Sequence, residues 1–277
     1  MSHSVLVYLL GGLLLLCSCT DAFDGESLEK EIPVPIQFTI EESYLTTRAP
    51  ISTIDATNVS SVGIYGVQES TPGQYTWTAT PLLSNVVPSG INQNQLSFSP
   101  KLYYPMGAKN VTFYAYYPRT TNTNTSSNSY ITLPANGIAP TYNFTLSDQQ
   151  DVMFAVSTPM NSKSGTPVAL QYTHQLCQII VDAGLLTGTL SSITLLSVPT
   201  KGSMNLATGA ITWNTTTSNI SLTIPLLATK SSPILVPANV TSYQVQIALL
   251  ALLPKTYTLV PSNGVFTPGV IYTLVVK

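Results

Sequence analysis

A strictly alternating stretch near the start of the chain, residues 32–40, most constrains the fold. It reads IPVPIQFTI. One face carries the apolar side chains Ile32, Val34, Ile36, Phe38 and Ile40. A hydrophobic period of two is typical of a β-strand with one buried face. Because Pro33 and Pro35 cannot donate hydrogen bonds to a neighbouring strand, the pattern predicts a strand at the edge of a sheet. Burial of all five side chains would contribute about 7–15 kcal/mol, so the domain that receives this strand depends on it.

The remainder of the chain indicates an all-β protein. Strand-like runs recur at short intervals between turn residues, and no segment sustains a helical period of 3.6. Only 8% of the residues are charged, whereas 44% are hydrophobic. The polar segment 158–167, TPMNSKSGTP, is the best candidate for a linker. We therefore expect two β-sandwich domains in tandem, at residues 49–157 and 167–277.

Two short segments are candidates for tight turns between strands. Thr208 and Gly209 separate MNLA from AITW, which predicts a β-hairpin. Asn263 and Gly264 form a second candidate turn of the same kind.

The first 18 residues are interpreted as a signal peptide. The apolar run at residues 5–16 is too short to span a bilayer as a helix but suits a signal-peptide core. The sequence LCSC at residues 16–19 resembles a bacterial lipobox, with Cys19 as the lipidated cysteine. Residues 19–48 then form an acidic leader, and seven of the twelve acidic residues of the chain lie in it.

The sequence offers little support for an enzyme. It contains no nucleophile elbow, phosphate-binding loop, dinucleotide fingerprint or zinc-protease motif. His174 is the single histidine after the signal peptide, and we expect it to be a hydrogen-bonded core residue. Asp148 and Asp151 are expected to cap a turn, not to bind a cation. Cys177 is expected to be a small buried hydrophobic residue. We therefore predict no catalytic residue, metal or cofactor.

The charge of the chain is also informative about partners. The formal net charge is −2 and no basic stripe is present, which argues against nucleic-acid binding. Trp77, Trp213 and fifteen tyrosines could instead serve as stacking platforms for sugars. That alternative is a surface lipoprotein that binds carbohydrate. Aromatic residues scattered through strands are more often core or cross-strand pairs, which favours a structural role.

Several stretches together resemble the fimbrillin family, the subunits of type V pili of anaerobic Gram-negative bacteria. Their order and spacing along the whole chain carry the resemblance. They are VTFYAYYP at 111–118, DVMFA at 151–155, the strand pair around His174 at 168–181, MNLATGAITW at 204–213 and TPGVIYTL at 267–274.

The resemblance implies two transthyretin-like β-sandwich domains and a structural role in a pilus (fimbria) that contributes to adhesion. It implies an outer-membrane lipoprotein precursor and cleavage by an arginine-specific protease, here between Arg48 and Ala49. That cut would remove the strand at residues 32–40 and open a groove for a strand from another pilus subunit. The mature form would then lie on the cell surface in a fimbrium. Arg48 as an ordinary surface arginine, with a permanent leader strand, is the alternative.

The C-terminal segment is the candidate donor strand. Val270, Tyr272, Leu274 and Val276 repeat the spacing of two that the leader strand has, so they could occupy similar pockets by donor-strand complementation. The alternative is that this segment is simply the last core strand of its own domain.

Overall fold

The computed structural model describes residues 32–42, 54–182, 184, 190–222, 229–249 and 253–275. These residues form β-strands joined by turns, with three short 3-10 helices at Val59–Ser61, Met106–Ala108 and Leu146–Asp148. The predicted all-β fold class is therefore confirmed. Within the described ranges, no helix has the length and apolar character needed to cross a membrane.

The largest sheet has eight strands. In spatial order they are β3 (Leu83–Val86), β2 (Gly63–Gln68), β6 (Val111–Tyr117), β9 (Met153–Val156), β10 (Val168–His174), β1 (Phe38–Glu42), β5 (Gln95–Ser97) and β4 (Gly90–Asn92).

Three smaller sheets contain the other strands of the described residues. The first contains β16 (Ile234–Pro237), β11 (Leu176–Asp182) and β19 (Ile271–Val275). The second contains β15 (Thr217–Leu222), β12 (Leu190–Pro199), β17 (Tyr243–Leu249) and β18 (Lys255–Leu259). The third contains β14 (Ile211–Trp213), β13 (Lys201–Asn205), β8 (Thr141–Thr145) and β7 (Tyr130–Ile131).

The buried apolar side chains form two separate cores. The leader core contains Ile36, Phe38, Ile40, Phe113, Val168, Leu170 and their neighbours. The C-terminal core contains Tyr116, Phe154, Ile179, Leu195, Val245 and their neighbours. Adjacent residues of β6 and β9 point into different cores, because successive side chains of a strand face opposite sides of the sheet. The centre of the large sheet is thus covered on both faces, which explains the nearly continuous apolar runs of β6 and β9.

The strand pairing crosses the predicted division between residues 49–157 and 167–277 at two places, since β8 pairs with β13 and β10 belongs to the large sheet. The sequence placed β10 in the second domain, at residues 167–277. In the structure β10 lies between β9 and β1, and its Val168, Leu170 and Tyr172 are buried in the leader core. From β11 onward the buried apolar side chains belong to the C-terminal core, which also receives side chains from earlier strands, such as Tyr116 of β6 and Phe154 of β9. That residues 49–157 and 167–277 form separate domains stays a prediction.

The predicted hairpin around Gly209 is confirmed, since β13 and β14 pair in antiparallel fashion across it. Gly209 has φ +73°, a left-handed conformation that glycine adopts without a steric penalty. Gly264 also has a positive φ, and its N–H donates to the Pro261 carbonyl at 2.9 Å. The strands on either side of it, β18 and β19, belong to different sheets, so this turn does not form a hairpin.

We expect Gly209→Ala to lower the free energy of unfolding by about 2–4 kcal/mol. The new Cβ would meet the left-handed backbone penalty and would lie 2.5 Å from Phe154 Cδ1. Gly137→Ala is the matched control, because Gly137 has φ +77° and open space around its Cα. It should cost only the backbone term, about 1 kcal/mol. Urea denaturation measures both losses, and equal losses would contradict the packing at Gly209.

Candidate functional site

The leader strand β1 lies inside the large sheet, between two neighbours. It runs parallel to β10, with Phe38 opposite Val168, and antiparallel to β5, with Phe38 opposite Leu96. The predicted edge position is therefore wrong. Pro33 and Pro35 precede β1. Pro35 forms an isolated antiparallel bridge with Tyr103, but the hydrogen bonds around it use Ile36 N and Val34 O, so no proline donor is needed.

Backbone hydrogen bonds hold residues 34–40 on both sides. Four bonds fix the segment to three different parts of the chain, namely Ile36 N to Leu102 O at 2.9 Å, Tyr104 N to Val34 O at 3.0 Å, Ile40 N to Asn94 O at 2.8 Å and Val168 N to Gln37 O at 2.7 Å. Loss of this segment would leave donors and acceptors of β10 and of residues 94–104 unpaired.

Only three of the five predicted side chains are buried. Phe38 is fully buried, and Ile36 and Ile40 are nearly so. Ile32 is 82% exposed and Val34 is 38% exposed, so the prediction that they lie on a buried face is wrong. The alternating pattern extends beyond the neighbouring strands that cover it. Three buried side chains contribute about 5–9 kcal/mol as an upper bound, which is comparable with the whole stability of a domain.

Phe38 anchors the strand in an aromatic pocket. Its ring meets Phe113 edge-on, with ring centroids 4.9 Å apart, and Phe98 at 5.4 Å. We define the leader groove as the surface under β1 formed by Leu96, Phe98, Phe113, Val168 and Leu170. These groove residues were not identified from the sequence. The alternation of Val168, Leu170 and Tyr172 was the available signal, but it was assigned to the other half of the chain.

The C-terminal strand β19 is covered much less tightly than β1. It lies at the edge of its sheet and pairs in parallel with β11, with Tyr272 opposite Ile179. Each of its described side chains is half-buried or exposed. The Tyr272 hydroxyl accepts a hydrogen bond from Thr267 N at 2.8 Å. A cavity of about 260 Å³ lies against β19, with Ile179, Leu259, Phe266, Tyr272 and Leu274 in its walls.

His174, Asp148 and Asp151 make hydrogen bonds within the chain. His174 Nδ1 lies 2.6 Å from Asp151 Oδ2, and the Asp151 side chain is fully buried. Asp151 Oδ1 also accepts from Val152 N at 2.9 Å. Asp148 ends the short helix that Thr145 caps, and it accepts from Asn128 Nδ2 at 3.2 Å. Among the described residues, no group of three or more metal-ligating side chains comes together.

Cys177 and the two tryptophans pack against other side chains of the chain and are wholly or partly buried. Burial raises the pKa of the Cys177 thiol to about 12, so this cysteine is inert at neutral pH. Trp77 is buried against Tyr65 and Tyr114. Trp213 is half-buried against Phe144, with ring centroids 5.6 Å apart. Trp77 therefore has no exposed ring face for a sugar, which weakens the carbohydrate-binding alternative.

The remaining predicted positions lie outside the described residues. These are the lipidation site Cys19, the cleavage site Arg48 and Ala49, and Val276 of the candidate donor strand.

We expect Phe38→Ala to lower the free energy of unfolding of the uncleaved chain by about 3–5 kcal/mol, because it empties a pocket between two aromatic rings. Ile32→Ala is the matched control on the same predicted face. It should change stability by less than about 0.5 kcal/mol, since Ile32 is exposed. Chemical denaturation of the two variants measures the difference. A large loss in the Ile32 variant would contradict the observed end of the groove.

The fold is similar to that of a proposed cell adhesion protein from Bacteroides uniformis, with 17% identity over 88% of this chain and 93% of that one and a TM-score of 0.53. A proposed cell adhesion protein from Bacteroides ovatus gives 17% identity, coverages of 88% and 92% and a TM-score of 0.54. The comparison with curated proteins finds no match. The model of the fimbrillin-like family matches residues 47–277, and the chain therefore belongs to the fimbrillin-like family.

Proposed function

We propose that this protein is a structural subunit of a cell-surface pilus, whose leader groove exchanges the leader strand for a strand from another subunit. Membership of the fimbrillin-like family supports a structural, non-enzymatic role. The observation that carries the exchange is the position of β1. It is buried between β10 and β5, yet it lies close to the N-terminus and is followed within eight residues by Arg48.

Removal of the leader strand would expose the leader groove to water, which is energetically unfavourable. Three apolar pockets and two unpaired strand edges would face water, and such a surface associates with other chains. An extended strand restores both the backbone bonds and the apolar contacts. The same contacts that stabilise the uncleaved chain thus become the driving force for assembly once the leader is cut away.

The leader would also determine where and when the subunit becomes able to assemble. Lipidation at Cys19 would attach the precursor to the outer membrane and keep the leader strand in place until proteolysis. Cleavage between Arg48 and Ala49 by an arginine-specific protease would cut the covalent link between the subunit and its lipid, and displacement of the leader strand would then release it. Arg48 stands in the polar segment TTRAP, eight residues beyond Ile40, which suits an accessible loop.

The C-terminal strand is the candidate donor. In its own sheet β19 is an edge strand with incomplete burial, so its departure would cost less than that of β1. A single residue, Gln175, separates β10 from β11. The leader strand and the C-terminal strand therefore run parallel to two consecutive strands of the chain, β10 and β11. The C-terminal strand would thus enter the groove of a neighbouring subunit in the same parallel orientation that it has beside β11.

We expect Arg48→Lys to block maturation. The variant should accumulate as an uncleaved lipoprotein that is missing from pili, because an arginine-specific protease does not accept lysine. Arg119→Lys is the matched control, since Arg119 is the other arginine of the chain and it should leave processing unchanged. N-terminal sequencing of the subunit in isolated pili should start at Ala49. Pili that contain the Arg48→Lys subunit with its leader intact would contradict the proposal.

We expect Leu274→Asp to reduce entry of the subunit into pili at least about tenfold, because a donated strand would carry the charge into an apolar groove. Thr273→Asp is the control on the opposite, exposed face of the same strand and should have little effect. Immunoblots of isolated pili measure incorporation, and thermal unfolding of both monomers verifies their folding. Normal incorporation of the Leu274 variant would show that the C-terminal strand is not the donor.

A further inference from the structure

The leader groove has a narrow chemical preference at its centre. Phe38 has no exposed surface, so water does not reach any edge of its ring. The rings against it belong to Phe98 and Phe113, and its partners across the sheet are Leu96 and Val168. These four side chains carry no hydrogen-bonding group.

A tyrosine in this pocket would bring a hydroxyl with no partner among these side chains. Burial of a hydroxyl without a hydrogen bond is unfavourable enough to weaken binding by about tenfold or more. A smaller aliphatic side chain would avoid that penalty, but it would leave part of the aromatic pocket empty. Phenylalanine is thus the side chain that the centre of the groove fits best.

The C-terminal strand of this chain does not meet that preference. Its alternating face carries Val270, Tyr272, Leu274 and Val276. The register that places an aromatic ring in the pocket brings in the Tyr272 hydroxyl. In its own sheet that hydroxyl accepts a bond from Thr267 N, which it would lose. Every other register of this face places valine or leucine in the space of a phenylalanine.

We propose that the leader groove selects a donor strand with phenylalanine, and not tyrosine, at the position of Phe38, and that this donor belongs to a different subunit and not to a second copy of this chain. The inference rests on the proposed exchange of the leader strand. Its consequence is that the purified subunit does not polymerise with itself and is placed in a pilus next to a subunit of another sequence.

The test measures displacement of the leader from the full chain after cleavage at Arg48. The leader fragment, labelled with a fluorophore, remains in the groove, and unlabelled peptides compete for its place. Two peptides represent the leader, residues 31–42 with Phe38 and the same peptide with Phe38→Tyr. Two represent the C-terminus, residues 269–277 with Tyr272 and the same peptide with Tyr272→Phe. Fluorescence polarisation gives the concentration at which each peptide displaces half of the label.

The Phe38 peptide should displace the leader at a concentration at least about tenfold lower than its Phe38→Tyr variant. The C-terminal peptide should compete weakly, and Tyr272→Phe should improve it by a similar factor. As an independent arm, Phe38→Tyr in the uncleaved chain should lower the midpoint of denaturation.

Equal competition by the leader peptide and its Phe38→Tyr variant, or a C-terminal peptide as potent as the leader, would overturn the selection while leaving strand exchange intact. Failure of the leader's own peptide to displace the label would instead overturn the proposed exchange itself, and the selection with it.

Discussion

Burial of Phe38 between Phe98 and Phe113 is the interaction on which the rest of the N-terminal half depends. It joins three parts of the chain that are far apart in sequence, and it stands at the point where β1 pairs with both β10 and β5. Apolar burial has no direction of its own, so the backbone ladder on either side fixes the register. The strand is held strongly because both kinds of interaction coincide. Any segment that replaces it must supply both.

The large sheet connects this groove to the C-terminal half. Its central strands β6 and β9 contribute alternate side chains to the two cores. A shift of either strand would therefore alter the packing of both cores. The chain then continues from β10 into β11 through Gln175, whose N–H donates to the Val152 carbonyl at 2.8 Å. Beside this corner, the fully buried side chain of Asp151 contacts His174, which is partly exposed. The groove and the C-terminal strand therefore pair with two strands, β10 and β11, that follow one another in the chain.

The sequence predicted the parts of this arrangement that depend on local pattern. The all-β class, the buried face of Ile36, Phe38 and Ile40, and the turn at Gly209 follow from periodicity and turn chemistry. The edge position and the burial of Ile32 and Val34 were wrong, because a period of two does not reveal how far the neighbouring strands extend.

The rest of the groove could not be read from the sequence, because it depends on pairing between distant segments. No sequence pattern distinguishes Phe98 and Phe113 from the other aromatic residues of the chain, and their contact with Phe38 is seen only in the folded structure. The alternation in β10 was visible, but nothing local shows that this strand pairs with the leader instead of with the second half. The partial cover of β19 is likewise a property of the assembled sheets, since its alternating pattern matches that of the tightly buried β1.

In the proposed assembly, the leader strand protects a surface that another subunit later covers. Hydrogen exchange of the β10 backbone amides, including Val168 N, tests it in the uncleaved precursor, the cleaved monomer without its leader and the assembled pilus. We expect slow exchange in the precursor, fast exchange in the leader-free monomer and slow exchange again in the pilus. Amides of β10 that stay protected in the leader-free monomer, or that remain unprotected in the pilus, would contradict the claim.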